Sequence, residues 1–359
     1  MLFIFGAGAS YANGFPLQRD LLSFYFKIFK DDKNEKEVYD LLKEFFSEFY
    51  NISNPINQDF PPLEHILGVI DVCIKDEISY SPKYNREKLQ DIYNLLIYVV
   101  LRLLTYKAKN YDKGIYKKFL KNLNNINKEL KNIHFITMNY DNSFDDAFDF
   151  LYPKVLVDYG IELVNYGEKL SNPFYWWERP EPEKGTYLLK LHGSLNFKYC
   201  PLCQNIELIP GGYYIVNIGH QNFESLTLID AIKHRKAKCP IDGMKSKILV
   251  VPPTVSKRLG YSPLQEIWNK ARKLFLINKE IIIVGYSLPF ADFHMWQLLK
   301  QAELNSGPKK ILIINAPGKN SHEVLNRYKQ IFSNVTYLNI GFVKFIENLE
   351  ETMASAGII

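Results

Sequence analysis

The sequence begins with an apolar run and a glycine-rich segment, Leu2-Phe3-Ile4-Phe5-Gly6-Ala7-Gly8-Ala9-Ser10. Its four apolar residues predict a short buried strand, and the glycines directly after them predict a tight turn into a helix. Such a turn exposes backbone N–H groups where nucleotide phosphates bind in open α/β sheets. A glycine-rich turn can also serve packing alone. However, Gly14-Phe15-Pro16 and Arg19 follow at a spacing that differs from the ordinary dinucleotide fingerprint.

Six more short runs rich in β-branched residues predict buried parallel strands. They lie at residues 133–137, 187–191, 248–251, 281–284, 311–314 and 335–338. Because helical patterns lie between several of these runs, we expect an α/β fold with a doubly wound, mostly parallel, Rossmann-like sheet.

The pattern of apolar residues divides the chain into three parts. Residues 1–19, 131–196 and 248–359 are predicted to form the Rossmann-like domain. Residues 20–130 carry apolar side chains at helical spacing, which predicts a helical insertion between the first and second strands. Residues 197–247 are richer in Gly, Tyr, Cys and Lys and predict a small separate module.

Composition and charge exclude several classes of protein. Hydrophobic residues make up 47% and charged residues 23% of the 359 residues, as in soluble globular proteins. The net charge of +5 is too small a bias to indicate a nucleic-acid partner. The apolar run at residues 95–101 is far shorter than the roughly 20 residues that cross a bilayer. The first residues also lack a signal-peptide pattern. We therefore expect a cytoplasmic protein with neither a membrane nor a nucleic-acid partner.

Polar residues directly follow two of the predicted strands. Thr137-Met138-Asn139-Tyr140-Asp141 ends the second strand, and Lys190-Leu191-His192-Gly193-Ser194 ends the third. Open α/β sheets bind ligands at the carboxyl ends of their strands, and a histidine pKa of about 6.5 suits a general base. Asn139 and Asp141 are also explained as turn formers, with Asp141 capping the next helix. A lone histidine is more often structural.

Two later strands end in small or amide side chains that suit the adenosine half of a dinucleotide. These segments are Val284-Gly285-Tyr286-Ser287-Leu288-Pro289 and Ile313-Ile314-Asn315. Asp292 follows the first of these segments and is also explained as the cap of the helix that starts near Phe293. His294 is a second candidate for a catalytic histidine, ranked below His192.

Five motifs in the same order resemble those of the sirtuin family. Gly6-Ala7-Gly8-Ala9-Ser10, continued by Gly14-Phe15-Pro16 and Arg19, is similar to the first NAD-binding motif of sirtuins. The other four are similar to the sirtuin sequences Thr-Gln-Asn-Ile-Asp, His-Gly-Ser, Gly-Thr-Ser-Leu and Ile-Asn. They are Thr137-Met138-Asn139-Tyr140-Asp141, His192-Gly193-Ser194, Gly285-Tyr286-Ser287-Leu288 and Ile314-Asn315. The resemblance therefore covers nearly the whole chain.

The resemblance implies an NAD-dependent enzyme in which Asn139 and His192 are catalytic. His192 would be the general base, and the Asn139 amide would fix the ribose hydroxyls and a nucleophile in line. The implied NAD-binding residues are Gly6, Ala7, Gly8, Ser10, Arg19, Asp141, Gly285, Ser287 and Asn315.

The four cysteines favour a metal site over disulfides in a reducing compartment. Cys200-Pro201-Leu202-Cys203 and Cys239-Pro240-Ile241-Asp242 stand where sirtuins carry two Cys-x-x-Cys pairs on a zinc ribbon. The resemblance implies a structural zinc ion, and a degenerate ribbon without metal is the competing interpretation. Cys73 lies outside the site. The implied ligands are Cys200, Cys203 and Cys239, with the fourth among Asp242, His220 and His234.

Three departures separate the chain from deacylating sirtuins. Leu17-Gln18-Arg19 replaces Asp-Phe-Arg, whose Phe shields nicotinamide, so Gln18 leaves the reacting carbon more open to water. Val250-Val251-Pro252-Pro253-Thr254 stands where sirtuins have the Phe-Gly-Glu stretch of the acyl-peptide groove. The segment that separates Gly6 from Asn139 is also longer than we expect for a deacylating sirtuin.

With these departures, the chain resembles divergent bacterial and archaeal sirtuin-like proteins that consume NAD without a peptide substrate. Members of that group act in defence against phage or plasmids. We therefore expect an NAD+ glycohydrolase that gives nicotinamide and ADP-ribose or cyclic ADP-ribose. The alternatives are an NAD-dependent protein lysine deacylase and a non-catalytic NAD- or ADP-ribose-binding assembly module. The expected partners are NAD+, further copies of this chain, and a partner or trigger protein of a defence system.

Overall fold

The computed structural model describes residues 1–108, 114–167, 176, 178–181, 184–209, 238–252 and 260–359. The described helices are α1 (Ala7–Ala12), α2 (Leu21–Ile28), α3 (Lys36–Tyr50), α4 (Leu63–Lys75), α5 (Arg86–Ala108), α6 (Gly114–Ile126), α7 (Ser143–Phe148), α8 (Ser262–Ile277), α9 (Phe293–Ser306), α10 (Ser321–Lys329), α11 (Phe342–Glu347) and α12 (Leu349–Ser355). The described strands are β1 (Leu2–Phe5), β2 (His134–Thr137), β3 (Val157–Asp158), β4 (Thr186–Lys190), β5 (Gly193–Tyr199), β6 (Ile206–Leu208), β7 (Lys247–Val250), β8 (Glu280–Val284), β9 (Lys310–Ile314) and β10 (Val335–Leu338). Within these ranges, no helix combines the length and apolar composition that a membrane crossing requires.

A seven-stranded sheet in the order β10-β9-β8-β1-β2-β4-β3 forms the centre of the molecule, and its paired strands run parallel. In β1, Phe5 lies opposite Val284 on one side and Thr137 on the other. The carboxyl ends of these three strands therefore meet at one edge. The sheet and its flanking helices confirm the predicted mostly parallel, Rossmann-like fold. At the sheet margin, β10 is half-buried rather than buried as predicted.

Side chains alternate between the two faces of the sheet along each strand, and this alternation explains how helices cover the sheet. Phe3 and Phe5 are two residues apart in β1, so both rings point to the same face. On that face, the Phe119 ring of α6 lies 5.4 Å from Phe3 and 5.5 Å from Phe5. The Phe144 ring of α7 lies 4.8 Å from Phe5. These edge-to-face contacts fix α6 and α7 against the centre of the sheet.

Helices α2 to α5, which we call the helical region, have a second hydrophobic core. In α3, Val38, Leu42, Phe45 and Phe46 are buried on one face, as the helical spacing of these residues requires. Glu35 also lies inside this core, where the Tyr25 hydroxyl, the Tyr98 hydroxyl and the Arg102 guanidinium donate hydrogen bonds to its carboxylate.

The helical region packs against one face of the small sheet formed by β5, β6 and β7. Its core includes Leu195 of β5 and Ile209, which follows β6. Tyr140, Ile248 and Val250 are partly buried against the same core. The helices therefore cover β5, β7 and the loop after β2.

The strand predicted at residues 248–251 does not join the parallel sheet, so that prediction was wrong. It is β7, which pairs antiparallel with β5, and β5 pairs antiparallel with β6. Leu249 belongs to the core around the large sheet, whereas Ile248 and Val250 contact the helical region. Because both faces of β7 meet apolar groups, its sequence has the unbroken apolar run that is typical of a central parallel strand.

The turns after β1 and β8 approach so closely that no side chain fits between them. A Cβ built on Gly6 would lie 2.6 Å from the Gly285 carbonyl oxygen, and one on Gly285 would lie 2.3 Å from the Ala9 nitrogen. Gly285 also has a φ of +64°, which L residues rarely adopt. In this contact, the Gly8 N–H donates to the Gly285 carbonyl at 2.8 Å. Packing is therefore a sufficient reason for glycine at positions 6 and 285, whether or not a ligand binds there.

We expect Gly285→Ala to destabilise the protein more than Gly307→Ala. Gly307 has a φ of +74°, but a Cβ there would meet no atom within 4 Å. Its replacement therefore carries only backbone strain, about 1–3 kcal/mol, whereas Gly285→Ala adds a backbone clash. Urea denaturation followed by far-UV circular dichroism measures both free energies of unfolding. Equal losses in the two variants would contradict the close-packing argument.

Candidate functional site

The loops after β2 and β4 lie side by side at the carboxyl edge of the large sheet. The Leu191 N–H donates to the Thr137 carbonyl at 3.1 Å, and the Leu195 N–H donates to the Tyr140 carbonyl at 2.9 Å. The two segments that carry the predicted catalytic residues are therefore neighbours, as the order of their parallel strands requires.

A hydrogen-bond network joins four of the predicted site residues. The Asn139 amide nitrogen donates to the Ser10 hydroxyl at 2.8 Å and to the Gly6 carbonyl at 2.9 Å. The Ser10 hydroxyl donates to the Asp141 carboxylate at 2.6 Å. Asp141 also accepts hydrogen bonds from the backbone N–H and the hydroxyl of Ser143, so it shapes the turn before α7 as well. Two acceptors hold the Asn139 nitrogen, and they fix the orientation of the amide.

The hydroxyl of Tyr116, on α6, lies next to this network. Burial raises the pKa of Tyr116, and the nearby charge of Asp141 raises it further. Tyr116 is therefore a neutral hydroxyl near Ser10 throughout the pH range in which enzymes usually work.

His192 is almost fully buried, with 7% of its surface exposed. Its Nε2 atom lies 3.7 Å from an Asp292 carboxylate oxygen, and its ring centroid lies 6.4 Å from that of Tyr140. Gly193 follows with a φ of +77°, and a Cβ there would lie 2.0 Å from the Leu249 carbonyl oxygen. Only glycine allows the loop to pass this close to β7.

The residues predicted to line the adenosine side lie at the ends of β8 and β9. The Gly285 and Asn315 N–H groups continue the backbone ladder of the sheet, with hydrogen bonds of 2.9 and 3.1 Å. Ser287 is exposed and Asn315 is half-buried. Ala7 is exposed and Gly8 half-buried at the start of α1. All of these residues follow strands whose carboxyl ends share one edge of the sheet.

Two other candidates contact residues outside this network. The Arg19 side chain is 78% exposed and lies 3.7 Å from Asp20. His294 is half-buried in the first turn of α9, with its ring 5.9 Å from that of Trp268. A role of Arg19 in phosphate binding stays a prediction.

A buried ion pair behind the two loops was not predicted from the sequence. The fully buried Lys190 ammonium lies 2.6 Å from Asp145 and donates to the Ser194 hydroxyl at 2.6 Å. The other Asp145 oxygen accepts hydrogen bonds from Tyr159 at 2.7 Å and Asn196 at 2.9 Å. The pair ties β4 to α7 and so holds the two loops in register. A lysine inside an apolar strand was the available signal, because fully buried lysines are almost always paired.

We expect Lys190→Met to lower the free energy of unfolding by about 3–5 kcal/mol, because the Asp145 charge would stay buried without its cation. Urea denaturation measures the loss. Lys184→Met is the matched control, since it removes an exposed ion pair with Glu181 and should change stability little. If the two variants lost the same amount, the buried pair would not hold the loops together.

Three cysteines and an aspartate converge near the small sheet. The ligand atoms of Cys200, Cys203, Cys239 and Asp242 all lie within 4.8 Å of one another. Cys203 Sγ is 3.6 Å from Cys239 Sγ, and Cys200 Sγ is 3.3 Å from an Asp242 oxygen. Tetrahedral zinc, with Zn–S bonds of about 2.3 Å, holds sulfur atoms about 3.8 Å apart, so this donor set fits zinc. Two proposed fourth ligands, His220 and His234, lie outside the described residues.

We expect purified protein to carry about one equivalent of zinc, measured by elemental analysis. Burial raises the pKa of Cys200 to about 12, so metal binding should release a proton from this thiol. Asp242→Ala and Cys203→Ser should lose the metal. Cys73→Ser is the control, because Cys73 lies in the core of the helical region. Retention of zinc by both ligand variants, or its absence from the wild type, would contradict the assignment.

Comparison with known proteins gives one family match. The sequence model of the family described as "SIR2-like domain" matches residues 133–333. No curated protein matches the chain. Among solved structures, a mutant Sir2 homologue in complex with ADP-ribose is 14% identical, with a TM-score of 0.45, over 100% of this chain and 93% of that chain. Sir2Tm bound to a propionylated peptide is 14% identical, with a TM-score of 0.41 and the same coverage of both chains.

Proposed function

We propose that this chain, which belongs to the SIR2-like domain family, is an enzyme that consumes NAD+. The reaction is cleavage of the bond between nicotinamide and ribose. Attack of water on the ribose gives nicotinamide and ADP-ribose, and attack of the adenine of the same molecule in place of water gives the cyclic form. Support comes from the neighbouring loops that carry Asn139 and His192 at the edge where open α/β sheets bind ligands.

The side chains present suit each step of this hydrolysis. When the bond from ribose C1′ to nicotinamide breaks, nicotinamide leaves with the electron pair and positive charge develops on the ribose. A water molecule forms the new C1′–O bond and gives a proton to His192, the general base. Asn139 is held through its nitrogen by Ser10 and Gly6, and it orients the ribose hydroxyls and the water.

The observation that favours hydrolysis over deacylation is the packing of the helical region on β5 and β7. Val250, at the start of the segment that stands in place of a peptide groove, packs against the core of the helical region. Ile248, Leu195 and Tyr140 contact the same core. This packing of Val250 against the chain's own helices supports a reaction without a peptide substrate. Pro253 and Thr254 lie outside the described residues.

A polar contact at the loop before α2 also supports access of water. The Gln18 amide donates to the Glu64 carboxylate of α4 at 3.3 Å. Both side chains are only partly buried. A polar pair at this position attracts water, whereas an aromatic ring would exclude it.

Several broader proposals accompany this reaction. The NAD-binding domain comprises residues 1–19, 131–196 and 248–359, with the helical insertion at 20–130 and the zinc-ribbon-like module at 197–247. The protein acts in the cytoplasm as a regulated, homo-oligomeric effector of defence against phage or plasmids, controlled by a trigger protein. The resemblance to divergent prokaryotic sirtuin-like proteins supports these proposals.

Under activating conditions, we expect purified protein to convert NAD+ to nicotinamide and ADP-ribose without any acylated peptide, as followed by liquid chromatography. His192→Ala should lower the rate by about 10²–10⁴, and Asn139→Ala should also lower it strongly. The control is His322→Ala, because His322 is exposed on α10 and contacts Asn326 of the same helix.

Two outcomes would contradict hydrolysis as the reaction. Nicotinamide release that requires an acyl-lysine peptide would identify a deacylase. Intact NAD+ bound equally well by wild type and His192→Ala would identify a binding module.

A further inference from the structure

Asp292 occupies the N-cap position of α9, but its side chain makes no capping hydrogen bond. The predicted capping role of this side chain was therefore wrong. One carboxylate oxygen accepts a hydrogen bond from the Tyr286 hydroxyl at 2.5 Å, and the other lies 3.7 Å from His192 Nε2. Asp292 is only 2% exposed. A buried carboxylate at a helix start is thus directed at a histidine and a tyrosine instead of at the helix.

We infer that Asp292 is a positioning residue for His192, an inference that rests on the proposed NAD+ hydrolysis. The Tyr286 hydroxyl holds the carboxylate, and the carboxylate orients the imidazole. When His192 takes a proton from the attacking water, the Asp292 charge stabilises the imidazolium that forms.

The free-energy cost of burying a carboxylate explains why Asp292 needs both Tyr286 and His192 beside it. A buried charge is expensive unless hydrogen bonds or an opposite charge compensate it. Tyr286 compensates one oxygen of Asp292 at all times. His192 compensates the other with a full charge only when it is protonated. Opposite charges within about 4–6 Å favour the charged form of a titratable group, so Asp292 favours protonated His192.

Three tyrosines surround this pair. Burial raises the pKa of Tyr140, Tyr286 and Tyr328, and the charge of Asp292 adds to each rise. All three are therefore neutral in the pH range where a histidine titrates. Their hydroxyls contribute dipoles, not charges, to the surroundings of His192.

Other ionisable groups on three helices act on these tyrosines. They are Glu64 of α4 near Tyr286, Tyr93 of α5 near Tyr140, and Arg327 of α10 near Tyr328. Arg327 also donates a hydrogen bond to the Leu288 carbonyl at 3.3 Å. Each acts through a tyrosine, whereas Asp292 has an ion-pair distance to His192 itself.

NMR titration of the free protein tests the pairing without any substrate. The protein is labelled with ¹³C-histidine, and the His192 signal is assigned with His192→Gln. Asp292→Asn removes the charge but keeps the side-chain size and an equally good N-cap residue. We expect His192 to titrate about one pH unit or more lower in Asp292→Asn, because protonation loses its counter-charge. His322 is the internal control and should titrate at the same pH in both proteins.

The pH dependence of kcat/KM for NAD+ gives a second readout. Neutral imidazole is the active base, so the acid limb should move to lower pH in Asp292→Asn by the same amount as the NMR titration. The plateau should fall about tenfold or more, because the forming imidazolium loses its partner. Tyr286→Phe keeps the carboxylate, so its acid limb should stay close to that of the wild type.

Each result decides between pairing and a merely structural role. Identical titration of His192 in wild type and Asp292→Asn would overturn the inference. A lower rate with an unmoved acid limb would also overturn it, since a structural defect lowers the rate at every pH. If wild-type protein did not cleave NAD+ but the NMR difference was present, the pairing would stand and only the proposed reaction would fail.

Discussion

The close approach of the turn after β1 to the turn after β8 determines where the residues of the candidate site lie. Because no side chain separates Gly6 from Gly285, α1 starts within hydrogen-bonding distance of the end of β8. That start brings Ser10 to the carboxyl end of β2, where it binds Asn139 and Asp141. Three neighbouring strands thereby share one edge, and the candidate site is built from the loops along it.

The site is held by buried polar groups that have identified partners. Lys190 pairs with Asp145 behind the loops, and Ser10 bonds Asp141 between them. In surroundings of low dielectric constant, such bonds are stronger than in water, and an unpaired group would be costly. The loops are therefore arranged before any ligand arrives, and binding need not order them. This preorganisation suits a reaction in which a water molecule must be aligned with a breaking bond.

The sequence predicted the features that depend on local pattern. The β1 strand and its glycine turn were predicted because the sequence signals for a strand, a turn and a helix follow one another directly. The parallel arrangement of the strands then implied that the loops of Asn139 and His192 are neighbours. The sheet to which β7 belongs was mispredicted. An unbroken apolar run indicates that both faces of a strand are buried, but it does not indicate which strand lies beside it. The pair of Lys190 with Asp145 and the contact of Asp292 with His192 join distant parts of the chain. Such contacts leave no periodicity in one sequence, although the lone lysine in an apolar strand was a usable signal.

The insertion of the helical region between β1 and β2 has a consequence for how the chain folds. Leu2 pairs with His134 and with Ile281, so the central strand of the sheet precedes one neighbour by about a third of the chain and the other by most of it. Closing such long loops costs conformational entropy before the new contacts repay it. The helical region, whose core is largely local, can form first. The β8 side of β1 stays unpaired until β8 has been synthesised, and an unpaired strand edge is prone to aggregation. Assembly of the ligand-binding edge therefore depends on these long-range pairings, which form more slowly than the local contacts of the helical region.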